Sequence, residues 1–346
     1  MSDDQVDFEV ITGGFIKRVI DSSRRDIIAL VSQCYQTHHQ GKTDNPDSYF
    51  LRFKNKPEAR IIALPAAIDN PEANTSVSGI KWIASYPRNI EANLQRASAV
   101  ILLNDYETGY PFSCLEASQI SAARTAASAV LAANHLGPSS KKTKRLSIIG
   151  GGLIARTILA FFKDEGWSFD NVVIHDISTE YRDKFIKNIN QQDLYPVMPA
   201  VDQSEALAAD IVIFTTTAAS PHIMDEQLFE PHQLILNISL RDLSPEIVHA
   251  CNNVLDDIEH CMKANTSPHL AEQKYGHRRF INGTLAQVIN DEIKLDKSKP
   301  TIFSPFGLGV LDLSLAMFIY RYNCDAPGRH VIPGFIPDPS AGAFKQ

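Results

Sequence analysis

One stretch near the middle of the chain restricts its fold more than any other. Leu146 to Ile149 is an apolar run of strand length, it ends in Gly150-Gly-Gly152, and an apolar helical pattern follows from Leu153 to Phe162. Strand, glycine turn and helix in that order begin a crossover unit, which builds parallel sheet. The spacing Gly150, Gly152, Ala155 is the G-x-G-x-x-G/A form of a dinucleotide-binding turn. The first glycine makes the turn, the second lets backbone approach a pyrophosphate, and the small third residue lets helix and strand pack closely. Leu153 and Ile154 open the helix, so their N–H groups face the anion. A second strand, Asn171-Val-Val-Ile-His175, ends in Asp176, 24 residues past Gly152. An acid there meets ribose hydroxyls and disfavours a 2′-phosphate, so NAD is expected over NADP, with Arg182 nearby softening the preference. An ordinary glycine-rich turn explains the glycines alone but not the second strand and acid that follow in order.

The surrounding pattern extends this unit. Strand-like runs at 146–149, 171–175, 196–200, 211–215, 233–238 and 253–255 alternate with helical segments, which predicts a doubly wound parallel sheet. Residues 260–300 read as mixed and loop-rich. The first part of the chain reads differently. After a strand at 7–12, Ile16, Val19, Ile20, Ile27, Ile28, Leu30 and Val31 mark one long helical pattern. Strands then dominate, clearest at Arg60–Leu64, Val77–Ala84, Ala99–Leu103 and Phe112–Glu116, before an Ala-rich helix from Ala117 to Leu136. A final apolar helix runs from Val310 to Tyr322, and a proline-bearing tail is expected to be extended. The simplest packing returns that helix to the N-terminal part. The expected fold class is α/β, a Rossmann doubly wound sheet (124–304) plus a strand-rich α+β domain built from both chain ends (1–123 with 305–346).

Composition narrows the function. The 346 residues are 44% hydrophobic and 21% charged, with a formal net charge of −7, which favours packed domains and disfavours a nucleic-acid role. No apolar run reaches membrane-spanning length, and the acidic start Met1-Ser-Asp-Asp-Gln is not a secretory signal. Cys34, Cys114, Cys251, Cys261 and Cys324 are scattered and form no C-x-x-C pair, so neither a disulfide framework nor a metal site is expected, and a cytoplasmic location fits. None of the 11 histidines stands in a metal-ligand spacing such as H-E-x-x-H.

Several residues carry possible chemistry. Thr215-Thr216-Thr217 follows a strand of the nucleotide fold, where hydroxyls touch a cofactor, although threonines favour strands in any case. Arg60 opens a strand, Lys81 sits within Gly79-Ile-Lys-Trp-Ile83, and Arg124 sits among small residues in a helix. Alternation favours an outward lysine, and an arginine on an Ala-rich helix commonly faces solvent. What joins the three is their chemistry: guanidinium forks and a half-buried ammonium bind carboxylates. Asp242 falls at the carboxyl end of the sheet, where ligands bind; a helix cap or turn is the plainer alternative.

The order of these motifs resembles the ornithine cyclodeaminase/mu-crystallin family over most of the chain. The matching stretches are Arg60-Ile-Ile-Ala-Leu-Pro65, Ser78-Gly-Ile-Lys-Trp82, Val100-Ile-Leu-Leu-Asn-Asp105, Glu116-Ala-Ser with Ala123-Arg-Thr-Ala-Ala127, the Gly150 turn, and Pro305-Phe-Gly-Leu-Gly-Val-Leu-Asp312. Each is weakly specific alone, and their order together is strongly so. Within the family, Arg60-Ile-Ile-Ala, Ile80-Lys-Trp-Ile83, Arg96-Ala-Ser-Ala-Val-Ile101 and Asn237-Ile-Ser are most similar to the dehydrogenase branch that makes 2,3-diaminopropionate for siderophores.

The resemblance implies NAD-dependent oxidation of N-(1-amino-1-carboxyl-2-ethyl)-L-glutamate, then hydrolysis to 2-oxoglutarate and L-2,3-diaminopropionate. It implies a homodimer joined through the N-terminal domains and an active site between domains. By position it makes Lys81 and Asp242 the catalytic pair, with Arg60, Lys81 and Arg124 binding substrate carboxylates. Where the cyclodeaminases carry a Gly-Gly-Asp-Cys-Pro-Gly-Lys segment, this chain reads Leu240-Arg-Asp-Leu-Ser-Pro245, which argues against ornithine cyclisation. Another amino-acid dehydrogenase or imino-acid reductase activity, or a nucleotide-bound protein without turnover of the mu-crystallin type, are the alternatives.

Overall fold

The computed structural model describes residues 7–336 apart from 74, 93, 193, 226, 227 and 323–325; Cys324, Pro337, Pro339 and the acidic start lie outside the described residues. In chain order, the strands of the first part are β1 (Phe8–Ile11), β2 (Thr43–Asp44), β3 (Tyr49–Phe53), β4 (Lys56–Asn70), β5 (Thr75–Ser85), β6 (Ala97–Asp105) and β7 (Pro111–Glu116). The middle part contributes β8 (Lys142–Ile149), β9 (Ser168–His175), β10 (Val197–Pro199), β11 (Ile211–Phe214), β12 (Leu234–Asn237), β13 (Asn252–Leu255), β14 (Ile281–Thr284) and β15 (Thr301–Ser304). β16 (Arg329–Ile332) lies in the tail.

These strands form two compact units. The first draws on both chain ends, up to Ser23 and from Leu308, together with Gln36–Arg124. Its sheet runs β16-β1-β7-β6-β5-β4-β2, with β3 also paired to β4. Only the β1–β7 pairing among these is parallel. The tail that reads as extended therefore has a partner, since Arg329–Ile332 pairs antiparallel with β1. Pro65 lies inside β4, where a proline costs a ladder bond. It falls between the stretches paired to β3 and to β2, so its missing N–H removes no cross-strand bond on that side.

The final helix, Gly309–Arg321, packs against β4, β5 and β6. Two glycines bring it close. A Cβ on Gly309 would lie 3.1 Å from the Ala66 Cβ, and one on Gly79 would lie 2.3 Å from the Leu102 carbonyl oxygen and 3.1 Å from the Leu313 side chain. The helix is apolar on all sides and buried from Gly309 to Met317, which leaves Asp312 and Ser314 as polar groups inside.

The second unit is Arg24–Tyr35 with Thr125–Gly307. Its sheet is parallel throughout, in the order β10-β9-β8-β11-β12-β15-β13-β14. The first five strands take the 3-2-1-4-5 order of a doubly wound nucleotide fold, with the switch point between β8 and β11. The sequence pattern does not reveal β14 or β15. Ile281-Asn-Gly-Thr284 carries one apolar residue, and Thr301–Ser304 is a four-residue strand between two prolines. The one long N-terminal helix expected from periodicity is two, Gly13–Ser22 and Arg24–His39. Ser22 Oγ bonds back to the carbonyls of Arg18 and Val19, which competes with the helix ladder, and Ser23 leaves helical geometry at φ −130°. Residues 24–35 go with the second unit because Arg24 pairs with Asp164 at 2.7 Å and Tyr35 bonds Ser128 at 2.6 Å.

Candidate functional site

In the first unit the chemistry is set by which way β5 faces. Val77, Gly79, Lys81 and Ile83 share one face, and the register places Leu64 and Ile101 on either side of Lys81. This is the face covered by the final helix. Lys81 therefore points inward, and Trp82 takes the outward position. At 2% exposure the ammonium needs a counter-charge, which Asp312 supplies from the helix at 2.5 Å, itself 0% exposed. The other oxygen of Asp312 accepts from Arg124 Nε at 3.1 Å, and Ser121 Oγ lies 3.3 Å from Lys81 Nζ. Two cations thus share one carboxylate. Burial pulls the Lys81 ammonium down to about 8 from its ordinary 10.5, Asp312 opposes that shift, and Arg124 reinforces it. With Lys81 protonated the cluster carries one excess positive charge, which suits it to bind a carboxylate.

In the second unit the turn after β8 is built as its spacing requires. Gly150 has φ +93°, and a Cβ there would lie 3.0 Å from the Thr215 carbonyl oxygen and from the Thr216 backbone. Gly151 is held by Asp176, whose carboxylate accepts from Gly151 N at 2.8 Å and Ser178 N at 2.9 Å. Gly152 differs: among the described residues a Cβ there would meet nothing within 4 Å. Gly150 is thus glycine for the protein's own backbone, whereas the space beside Gly152, at the start of the helix Leu153–Asp164, is open to a phosphate.

Hydrogen bonds continue from this turn across the carboxyl ends of β11 and β12. Thr215 Oγ1 donates to the Gly150 carbonyl at 2.7 Å, and Thr216 Oγ1 donates to Asp242 Oδ1 at 2.5 Å. Asp242 is 0% exposed and also meets Ser239 Oγ and, at 2.9 Å, His222 Nε2. The Asp242 carbonyl accepts from the backbone N–H groups of His222 and Ile223, and a parallel bridge joins Ile223 to Leu243. Asp242 is not a helix cap; Ser244 caps the helix Pro245–Ala250.

The profile of the ornithine cyclodeaminase/mu-crystallin family matches residues 18–325. The chain belongs to the ornithine cyclodeaminase/mu-crystallin family. The N-((2S)-2-amino-2-carboxyethyl)-L-glutamate dehydrogenase of Staphylococcus aureus (strain NCTC 8325 / PS 47) is 34% identical over 269 residues, 76% of this chain and 78% of the relative. A Delta(1)-pyrroline-2-carboxylate reductase of Bacillus thuringiensis subsp. konkukian (strain 97-27) is 25% identical over 312 residues, 86% of this chain and 91% of the relative. Among solved structures, the Thermococcus litoralis Delta(1)-pyrroline-2-carboxylate reductase in complex with NADH and L-proline has the same fold. It superposes with a TM-score of 0.81 at 23% identity, over 90% of this chain and 96% of that one.

In this member of the ornithine cyclodeaminase/mu-crystallin family, Lys81 and Arg124 come together on Asp312. Arg60 lies on the same sheet face as Lys81, opposite Ser85, four positions along β4 from Leu64, or about 13 Å. Gly150, Thr215, Thr216 and Asp242 form one chain of contacts, while Thr217 is exposed. Sequence reasoning passed over Asp312, Ser239 and His222. Asp312 had a signal, since a lone acid in a helix apolar on every side requires a buried cation; His222, in a loop after Pro221, had none. Among the described residues no group of His, Cys, Asp or Glu side chains is arranged to hold a metal ion.

Asp312→Asn keeps the side-chain size and leaves the buried Lys81 beside the part-buried Arg124 as like charges. Urea unfolding should show a loss of about 3–5 kcal/mol, as when one partner of a buried pair is removed. The loss should shrink at pH values where Lys81 can be neutral in the folded state. A midpoint equal to wild type at every pH contradicts this account of the cluster.

Proposed function

We propose that the chain is an NAD-dependent oxidoreductase acting on the carbon–nitrogen bond of an amino-acid derivative, with N-(1-amino-1-carboxyl-2-ethyl)-L-glutamate as substrate and 2-oxoglutarate and L-2,3-diaminopropionate as products. The observation that carries this reading is the buried Lys81–Asp312–Arg124 cluster, a cationic centre inside a chain of net charge −7. A substrate with several carboxylates needs such a centre, and the S. aureus relative is named for a substrate of this kind. The turn at Gly150–Gly152 fits NAD: its open space admits the pyrophosphate, and Asp176 stands at the end of β9 to meet the ribose.

The roles divide between the units. Hydride acceptance is the chemistry that NAD supplies when bound. Lys81 and Arg124 hold a substrate carboxylate, with Arg60 taking another, and so fix the reacting carbon. Loss of hydride from that carbon and of the proton from nitrogen leaves a C=N bond. Water adds at carbon, the C–N bond breaks, and the 2-oxo acid and the amine separate. The basicity for these proton transfers is assigned to the Asp242 centre.

The reading includes a homodimer joined through the first unit. The sheet face opposite Lys81 is apolar and exposed: register aligns Ala63, Trp82 and Val100 in one row and Pro65, Ile80 and Leu102 in the next. Trp82, Val100 and Leu102 are all more than one-third exposed, which supports an interface there. Trp82→Arg should convert a dimer to monomers in sedimentation experiments; a wild-type monomer, or a variant that remains dimeric, rejects this face.

Turnover is tested by mixing the protein with NAD and this substrate and following reduced cofactor, 2-oxoglutarate and the diamine. The expected outcome is stoichiometric formation of all three, with no turnover of ornithine. Gly152→Val should keep the fold and lose NAD affinity, because its branched carbons enter the phosphate space. Turnover of alanine or proline in preference to this substrate would overturn the substrate assignment, and unchanged NAD binding in the variant would overturn the role of the turn.

A further inference from the structure

We infer that His222 is the group that exchanges protons with the substrate, and that Asp242 is its positioning residue; the inference rests on the oxidoreductase reading above. The Asp242 carboxylate has no exposed surface, and its oxygens are taken by Thr216, Ser239 and His222. As placed, it has no free edge to offer a substrate amine or a water. His222 does: its side chain is 36% exposed, and among the described residues its Nδ1 has no hydrogen-bond partner. With Nε2–H donated to Asp242 at 2.9 Å, the lone pair on Nδ1 faces outward as a proton acceptor. The buried carboxylate then stabilises the imidazolium that forms, as in other acid–base pairs oriented by a third group.

Two further features make this an ordered device. Backbone N–H groups of His222 and Ile223 both bind the Asp242 carbonyl, so the loop carrying the ring is tied at two levels to the residue that orients it. The centre also lies at the carboxyl ends of β11 and β12, beyond the switch point from the phosphate turn, where the second half of a dinucleotide is delivered in this fold. Thr215 and Thr216 join the turn to the centre by side-chain hydrogen bonds. The neighbouring cation, Arg241, is bonded to the carbonyls of Ala264 and Asn265. Asp242 is therefore the charged side chain bonded to the ring.

The proton movements balance. As water oxygen bonds to the C=N carbon, Nδ1 of His222 takes the proton that the water loses. That proton passes to the nitrogen, giving a carbinolamine. As the C–N bond breaks, Nδ1 carries the remaining hydroxyl proton to the departing amine, which leaves the C=O bond. The amine proton lost in the oxidation is the one released to solvent with reduced cofactor. The two electrons of the oxidation have already left as hydride to NAD, so His222 carries protons only.

Two measurements test this. Nitrogen-15 NMR of the wild-type protein should show the neutral His222 ring protonated at Nε2, and Asp242→Asn should disturb that tautomer; a ring protonated at Nδ1 in the wild type overturns the inference without any assay of turnover. With NAD and the N-(1-amino-1-carboxyl-2-ethyl)-glutamate substrate, His222→Gln should lower kcat by roughly 10²–10⁴-fold, the span of one acid–base group. Its NAD affinity should stay near normal. In His222→Ala, added imidazole should restore part of the rate, which it would not do for a purely structural loss. A His222→Gln enzyme at wild-type rate, or an alanine variant that imidazole does not rescue, removes His222 from the chemistry. Those outcomes leave the oxidoreductase reading standing, whereas a wild type that turns over neither this substrate nor alanine, proline or ornithine ends both.

Discussion

A single carboxylate, Asp312, holds two cations in the first unit, the buried Lys81 and the part-buried Arg124. Taking an ammonium and a guanidinium out of water is costly, and one carboxylate cannot neutralise both. The fold accepts that cost by pressing a nearly all-apolar helix against the sheet, through glycines at 79 and 309, so that Asp312 falls beside Lys81 and Arg124. Residual positive charge in a dry place is poor design for stability alone. It is good design for capturing an anion, because an incoming carboxylate completes the neutralisation that the protein leaves unfinished.

The second unit solves a different problem with the same economy of groups. Its turn at Gly150–Gly152 leaves space for a phosphate, and the threonines that follow β11 link that turn to Asp242. Asp242 spends its oxygens on fixing a loop and one imidazole ring. The division of labour proposed for the enzyme follows from these two arrangements: charge and anchoring in one unit, cofactor and proton handling in the other.

The nucleotide fold was legible because its signal is local. Strand, turn and helix between Leu146 and Phe162 are contiguous, and the glycine spacing reports backbone contacts within the turn. The short strands Ile281–Thr284 and Thr301–Ser304 were hidden because neither carries enough apolar sequence to show a period. Lys81 was ambiguous for a different reason. Alternation favours an outward lysine, and the structure reverses it, because both faces of Gly79-Ile-Lys-Trp-Ile83 are apolar, one for the core and one exposed at Trp82. The partner that settles it, Asp312, lies 231 residues away. Family resemblance pointed to Lys81, Arg124 and Asp242, but the contact between Asp242 and His222 depends on how two loops meet, which no spacing encodes.

Lys81 is a buried ammonium that shares its one counter-charge with Arg124, which leaves it short of negative charge until a carboxylate binds. Its titration can be followed directly by NMR of lysine labelled at Cε, with Lys81→Met used to assign the signal. In the free protein the signal should titrate at about 8, and binding of the substrate should raise that value by supplying the missing negative charge. Titration near the ordinary 10.5, or a value that substrate does not move, would contradict the account.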